Sequence, residues 1–132
     1  MSRVMLVDDE ESILKSLKRI LRLAPCTFGG KSFTLEVETY SSPLEALEAA
    51  RHDDYDLFVS DYRMPVMDGI EFLQAVRSNP NTKKAAFIIL TAQGDRALVQ
   101  KAAALGANNV LAKPFTIEKM KAAIEAVFGA LK

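Results

Sequence analysis

The sequence has 132 residues, the length of one domain at a typical ~150 residues per domain. Its 49% hydrophobic content excludes an intrinsically disordered chain. Seventeen basic residues balance seventeen acidic ones, so the basic excess of a protein that grips nucleic-acid phosphates is missing. A single cysteine, Cys26, rules out an internal disulfide and fits a reducing compartment. The longest apolar run, Ala85 to Leu90, is far too short for the ~20 residues of a membrane helix. Residues 4–7 meet Asp8-Asp9-Glu10-Glu11 at once, unlike a secretory leader. The expectation is a cytoplasmic protein with residues 1–132 forming one domain.

Short apolar runs and helical patterns alternate along the chain. Residues 4–7 read as a buried strand, followed by a helix over 12–23 with Ile13, Leu14, Leu17, Ile20 and Leu21 on one face. Residues 24–33, with Pro25, Gly29 and Gly30, read as a long loop. Residues 34–40 alternate with period two, the pattern of a half-buried strand at a sheet edge. Ser42-Pro43-Leu44-Glu45 is a helix start: an N-cap, a proline in the first turn and a glutamate to close a capping box. A strand over 57–59 precedes a helix after Gly69, carrying Phe72, Leu73 and Val76 and halted near Pro80. A strand over 87–90 leads to an alanine-rich helix over 96–105 that ends at Gly106. A fifth strand spans 110–112, and the last helix starts at Thr116 with Ile117, Met120, Ile124, Val127 and Leu131. Strands 4–7, 57–59, 87–90 and 110–112 are apolar on both faces, as in a parallel sheet covered on both sides. Five strands alternating with five helices predict a doubly wound α/β fold with right-handed crossovers.

Asp8 and Asp9 follow the first strand, and Asp61 follows the third. Doubly wound sheets bind ligands at the carboxyl ends of their strands, where the strand order reverses. In the order 2-1-3-4-5 these two strands are neighbours at that reversal, so three carboxylates converge. Like charges that close either retain a proton or take up a cation. An oxygen-only donor set favours a hard ion such as Mg²⁺. Thr91 ends the fourth strand and Lys113 the fifth. A carboxylate nucleophile, a metal site, a hydroxyl and an ammonium are the parts that phosphoryl transfer requires.

Val7-Asp8-Asp9-Glu10, Asp61 to Gly69 (DYRMPVMDG), Leu90-Thr91-Ala92 and Lys113-Pro114-Phe115 together resemble the receiver domain of two-component response regulators. The match runs through essentially the whole chain in the family's order. The resemblance implies a flavodoxin-like fold and a phosphorylation switch rather than a turnover enzyme. By it, Asp61 accepts a phosphoryl group from a phosphohistidine of a sensor kinase or histidine phosphotransfer protein. Asp9, Asp61 and the backbone carbonyl of Arg63 ligate Mg²⁺, with Asp8 acting mainly through water. Lys113 pairs with the phosphoryl oxygens, and its peptide bond to Pro114 is expected to be cis. Thr91 moves to the phosphoryl group and carries the fourth helix with it. Arg63 and Gln93 border the path of the water that removes the phosphoryl group. The resemblance further implies a downstream protein target read by the face of the fourth helix, fifth strand and fifth helix. It implies a monomer or a phosphorylation-dependent dimer, with no nucleic-acid or membrane partner for this chain.

Two positions depart from the family pattern. Val110 stands where many receivers carry a switching Tyr or Phe three residues before the lysine, and the loop over 24–33 is long. Three rivals share parts of the pattern. A haloacid-dehalogenase-like phosphatase needs a second Asp two residues after its nucleophile, where Asp61 is followed by Arg63. A flavin or nucleotide module needs a Gly-, Ser- or Thr-rich first loop, where four acids stand. A receiver that binds without phosphorylation would not need all five site residues.

Overall fold

The apolar faces of this chain bury one another in three layers around a parallel sheet. The computed structural model describes residues 2–23, 26–28, 31–33, 35–92, 96–113 and 115–130. In chain order these form β1 Ser2–Val7, α1 Glu11–Leu23, β2 Cys26–Phe28, β3 Lys31–Phe33, β4 Leu35–Tyr40, α2 Pro43–His52, β5 Leu57–Asp61, α3 Gly69–Ser78, β6 Ala86–Thr91, α4 Arg96–Ala104, β7 Asn109–Ala112 and α5 Ile117–Ala130. The main sheet has the order β4-β1-β5-β6-β7, all parallel. With the β2–β3 hairpin set aside, that is the order 2-1-3-4-5 of the flavodoxin-like fold.

Strand parity divides the core. Val4 and Leu6 of β1, Leu57 and Val59 of β5 and Ile88 and Leu90 of β6 face α1 and α5, meeting Leu14, Leu17, Leu21, Met120, Ile124 and Val127. Their alternates Met5, Val7, Phe58, Phe87 and Ile89 face α2, α3 and α4. On that side Phe58, Phe72 and Phe87 form an aromatic cluster with ring centroids 5.8–6.2 Å apart. Burial on both faces is why β1, β5 and β6 read as continuous apolar runs.

Local signals place the helix ends. The Ser42 hydroxyl accepts from the Glu45 N–H at 3.4 Å, with Pro43 opening α2. That is one half of the expected capping box. The complete box is at α3, where Asp68 and Glu71 cap each other's backbone. α4 ends at Gly106 with φ +100. The Gly106 N–H bonds the Ala103 carbonyl and the Ala107 N–H the Ala102 carbonyl, a Schellman stop that glycine adopts without strain. The Thr116 hydroxyl caps α5 through the Lys119 N–H.

Two expectations are corrected. Residues 24–33 are not a plain loop: β2 and β3 pair antiparallel within them, Cys26 opposite Phe33 and Phe28 opposite Lys31, and β2 lies beside α5. The fifth strand of the main sheet is not buried on both sides: Val110 and Leu111 of β7 are half-buried and Asn109 and Ala112 exposed, because the helices cover its faces only in part. Thr34, the Lys113–Pro114 bond, Gln93 and Leu131 lie outside the described residues.

Candidate functional site at the carboxyl ends of β1, β5 and β7

Parallel pairing delivers the site residues to one rim. β1 pairs with β5 through Val7 opposite Ser60, so Asp8 and Asp61 emerge side by side. β5 pairs with β6 through Asp61 opposite Leu90, which puts Thr91 one step beyond. Backbone bonds fasten the strand ends: the Tyr62 N–H donates to the Leu90 carbonyl at 2.7 Å, and the Lys113 N–H to the Thr91 carbonyl at 2.8 Å.

Asp8, Asp9 and Asp61 each offer an oxygen within 4.8 Å of the others. Asp8 and Asp61 are buried, at 2% and 7% exposure, while Asp9 is exposed. The Lys113 ammonium lies between the two buried acids, 3.2 Å from Asp8 Oδ2 and 3.1 Å from Asp61 Oδ1. Asp8 Oδ1 accepts from the Glu10 N–H at 2.9 Å. Both Asp8 oxygens are therefore engaged by the protein, leaving Asp9 and Asp61 the freer donors. Thr91 is buried at the same rim.

One ammonium among three carboxylates leaves the cluster anionic. Burial, and then the Asp8 charge, raise the Asp61 pKa above the ordinary carboxylate value; Lys113 opposes them without cancelling them. Burial alone would lower the Lys113 pKa, yet Asp8 and Asp61 outweigh it and hold the ammonium protonated above the usual lysine range. Three clustered oxygens, two of them buried, with no nitrogen or sulfur donor, fit a hard divalent ion such as Mg²⁺. An open cavity of about 530 Å³, lined by Asp9, Tyr62, Arg63, Met64, Pro65 and Asp68, leads to the cluster.

The loop after Asp61 has features that sequence reasoning did not find. Met67 donates its N–H to the Pro65 carbonyl at 2.8 Å around Val66, whose φ is +74. This γ-turn puts a β-branched residue in the left-handed region, a strained arrangement, and leaves its side chain 83% exposed. Gly69 then returns the chain against β5: a Cβ there would lie 2.7 Å from the Asp61 carbonyl oxygen and 2.9 Å from the Tyr62 Cα. Glycine is required by that approach, and its N–H bonds the Tyr62 carbonyl at 2.7 Å. Val110 is half-buried and packs on the α2–α3–α4 side of the core. Among the described residues no helix is long and apolar enough to cross a membrane.

Comparison with known proteins agrees with this geometry. Residues 4–125 match the family described as the response regulator receiver domain. The chain is 76% identical over 88 residues to the probable chemotaxis protein CheY of Rhizobium etli, covering 67% of this chain and 68% of that one. It is 31% identical over 126 residues to the chemotaxis protein CheY of Pseudomonas aeruginosa, covering 96% and 95%. Among solved structures, the Vibrio cholerae chemotaxis protein CheY4 matches with TM-score 0.85 and 35% identity over 96% of this chain and 98% of that one. A receiver domain protein from Clostridium thermocellum matches with TM-score 0.84 and 28% identity over 99% and 97%. With its acidic cluster at the rim of a 2-1-3-4-5 sheet, the chain belongs to the response regulator receiver family and is a CheY-like component of two-component phosphorelay signalling.

Proposed function

We propose that Asp61 is the phosphoryl acceptor, and that its charge state is managed by Lys113 and a divalent ion. Receivers of this type act as phosphoacceptor switches, and in this chain the arrangement around Asp61 supports that role. The observation that carries the reading is the Lys113 ammonium, 3.1 Å from Asp61 and 3.2 Å from Asp8, beside three clustered carboxylates.

Asp9, Asp61 and the Arg63 carbonyl would hold Mg²⁺ directly, with Asp8 acting through water. The ion supplies positive charge against the anionic phosphoryl oxygens, so that one anion can approach another. The chain's own groups do the rest. An Asp61 oxygen attacks the phosphorus of a phosphohistidine; the new O–P bond forms as the N–P bond breaks, and the imidazole leaves and takes a proton from solvent. Lys113 turns its ammonium to the incoming phosphoryl oxygens. Thr91, buried at the end of β6, donates its hydroxyl to the same group and draws the start of α4 towards it. The surface of α4, β7 and α5 is then what a downstream protein reads. Val110 removes the usual aromatic from this relay, leaving Thr91 and α4 to carry it.

The donor is a sensor histidine kinase or a histidine phosphotransfer protein. The names of the relatives point to chemotaxis as the pathway, with residues 1–132 working as a single domain in the cytoplasm. Phosphate acceptance without turnover of free phosphomonoesters distinguishes this reading from a phosphatase, and Arg63 supplies no carboxylate for the acid–base step that a phosphatase needs. Intact-mass measurement after acetyl phosphate and Mg²⁺ tests it. Wild type gains one PO₃H unit, ~80 Da by composition, and Asp61→Asn gains nothing. A gain in the Asn variant, or none in wild type, defeats the assignment.

A further inference from the structure

The described cations outside the site are mostly paired or scattered, with one exception. On α1, Lys15, Lys18, Arg19 and Arg22 follow the spacing i, i+3, i+4, i+7, which aligns them in one stripe about 10 Å long. Lys15, Arg19 and Arg22 are exposed and Lys18 half-exposed. Among the described residues, these four line a cavity of about 440 Å³. Among the described residues none of the four has an ion pair, and Glu11, the sole acid on the helix, reaches none of them. Four like-charge pairs at three- and four-residue spacing work against the helix, a local cost that no ion pair among the described residues offsets.

Its position is informative. The other flank of α1, with Ser12, Ile13, Ser16 and Ile20, lines an apolar cavity of about 560 Å³ that runs to Lys113 and α5. At the start of the stripe, Lys15 stands beside the end of β4, sharing a small cavity with Glu11, Leu14, Thr39 and Ser41. β4 ends the main sheet, so among the described residues the outer row of its peptide groups faces no strand. The stripe therefore begins, at Lys15, beside a strand edge that is open among the described residues.

We propose that β4 is the docking edge for an acidic extended segment of a partner protein, which adds as a strand while its carboxylates meet the α1 stripe. Side chains of an added strand alternate between faces. Those on the α1 side meet Lys15, Lys18, Arg19 and Arg22. Those on the opposite side meet Glu36 and Glu38, which project from β4 near Arg3, so they must be polar or basic. The partner sequence thus alternates, with acid at every second residue and not at every residue. This edge lies away from Lys113, so occupation leaves Asp61 open to its phosphodonor.

The test uses the intact chain and three eight-residue probe peptides: (Glu-Thr)₄, (Lys-Thr)₄ and a (Glu-Thr)₄ variant with a central proline. Binding is read by fluorescence polarisation, and its location by backbone amide shifts. (Glu-Thr)₄ is expected to bind and to shift the amides of 35–40. Its affinity should fall about tenfold in Lys18→Glu/Arg22→Glu and as salt rises. The proline peptide should bind more weakly because it lacks a ladder N–H, and (Lys-Thr)₄ should not bind. Equal binding of the proline peptide reduces the interaction to unspecific charge attraction and overturns strand addition. Absence of (Glu-Thr)₄ binding overturns the proposal too. So does a charge-reversed double variant that dimerises through β4, since the stripe would then serve to keep two such edges apart.

Discussion

The two ends of the sheet each gather carboxylates around one cation, with opposite results. At the amino ends of the strands, Arg3 meets Glu38 at 2.6 Å, Asp53 at 3.5 Å and Glu36 at 3.9 Å, and its guanidinium lies 4.7 Å from the centre of the Tyr55 ring. Asp56 exchanges bonds with the Arg3 backbone, its carboxylate accepting at 2.8 Å and its N–H donating at 2.9 Å. Glu36 and Asp53 are more than half exposed, so water screens their surplus charge. At the carboxyl ends, Asp8 and Asp61 are buried and share Lys113 with no such screening. The number of acids per cation does not separate a structural cluster from a site that seeks an external cation. What separates them is whether solvent can absorb the excess.

Deleting each cation breaks the comparison most sharply. Lys113→Ala leaves two buried carboxylates uncompensated and should cost about 3 kcal/mol in metal-free buffer at neutral pH. Mg²⁺ should restore much of the loss, as read by urea unfolding with and without the ion. Arg3→Ala should cost about 1 kcal/mol, because two of its three carboxylate partners are more than half exposed, and Mg²⁺ should not restore it. Equal losses in the two variants, or rescue of both, would remove the distinction.

The smallest effect concerns pH. A carboxyl whose folded-state pKa is raised stabilises the fold below its unfolded value and loses that contribution as pH rises through the folded one. Asp61 has such a raised pKa. The metal-free wild type should therefore lose a share of stability between the ordinary carboxylate pKa and the raised one, and Mg²⁺ affinity should climb over the same window. Asp61→Asn removes the loss, so at neutral pH without metal it should melt slightly above wild type and fall below it once Mg²⁺ is added. A metal-free Asn variant that melts lower would mean that Lys113 already balances the cluster.

The site was legible because each acid directly follows an apolar run. A buried strand that stops at Asp8 or Asp61 announces both its end and the rim where the charge collects. The 2-1-3-4-5 order then made neighbours of the strands that end at Asp8 and Asp61, and the long Lys113 side chain reaches Asp8 from 105 residues away. The β2–β3 hairpin was not read, although Gly29-Gly30 stands between its strands. Runs of three residues are too short to show alternation, and a lone hairpin is marginal in water without packing such as its contact with α5. Gly69 was read as a helix boundary, but its need to lie against the Asp61 carbonyl depends on a loop path that no periodicity encodes. The left-handed Val66 runs against its own residue preference, so no propensity rule would place it there.

Arg77, near the end of α3, donates to the Ala85 carbonyl at 2.6 Å, the Lys83 carbonyl at 3.1 Å and the Gly106 carbonyl at 2.7 Å. One guanidinium thus rivets the tail of α4 to the approach of β6. The head of α4 lies at the other end of the helix, towards Thr91. On the proposed reading, a pull exerted at Thr91 would act on α4 as on a lever whose fulcrum is the Gly106 end, so displacement would grow towards the end nearest the chemistry.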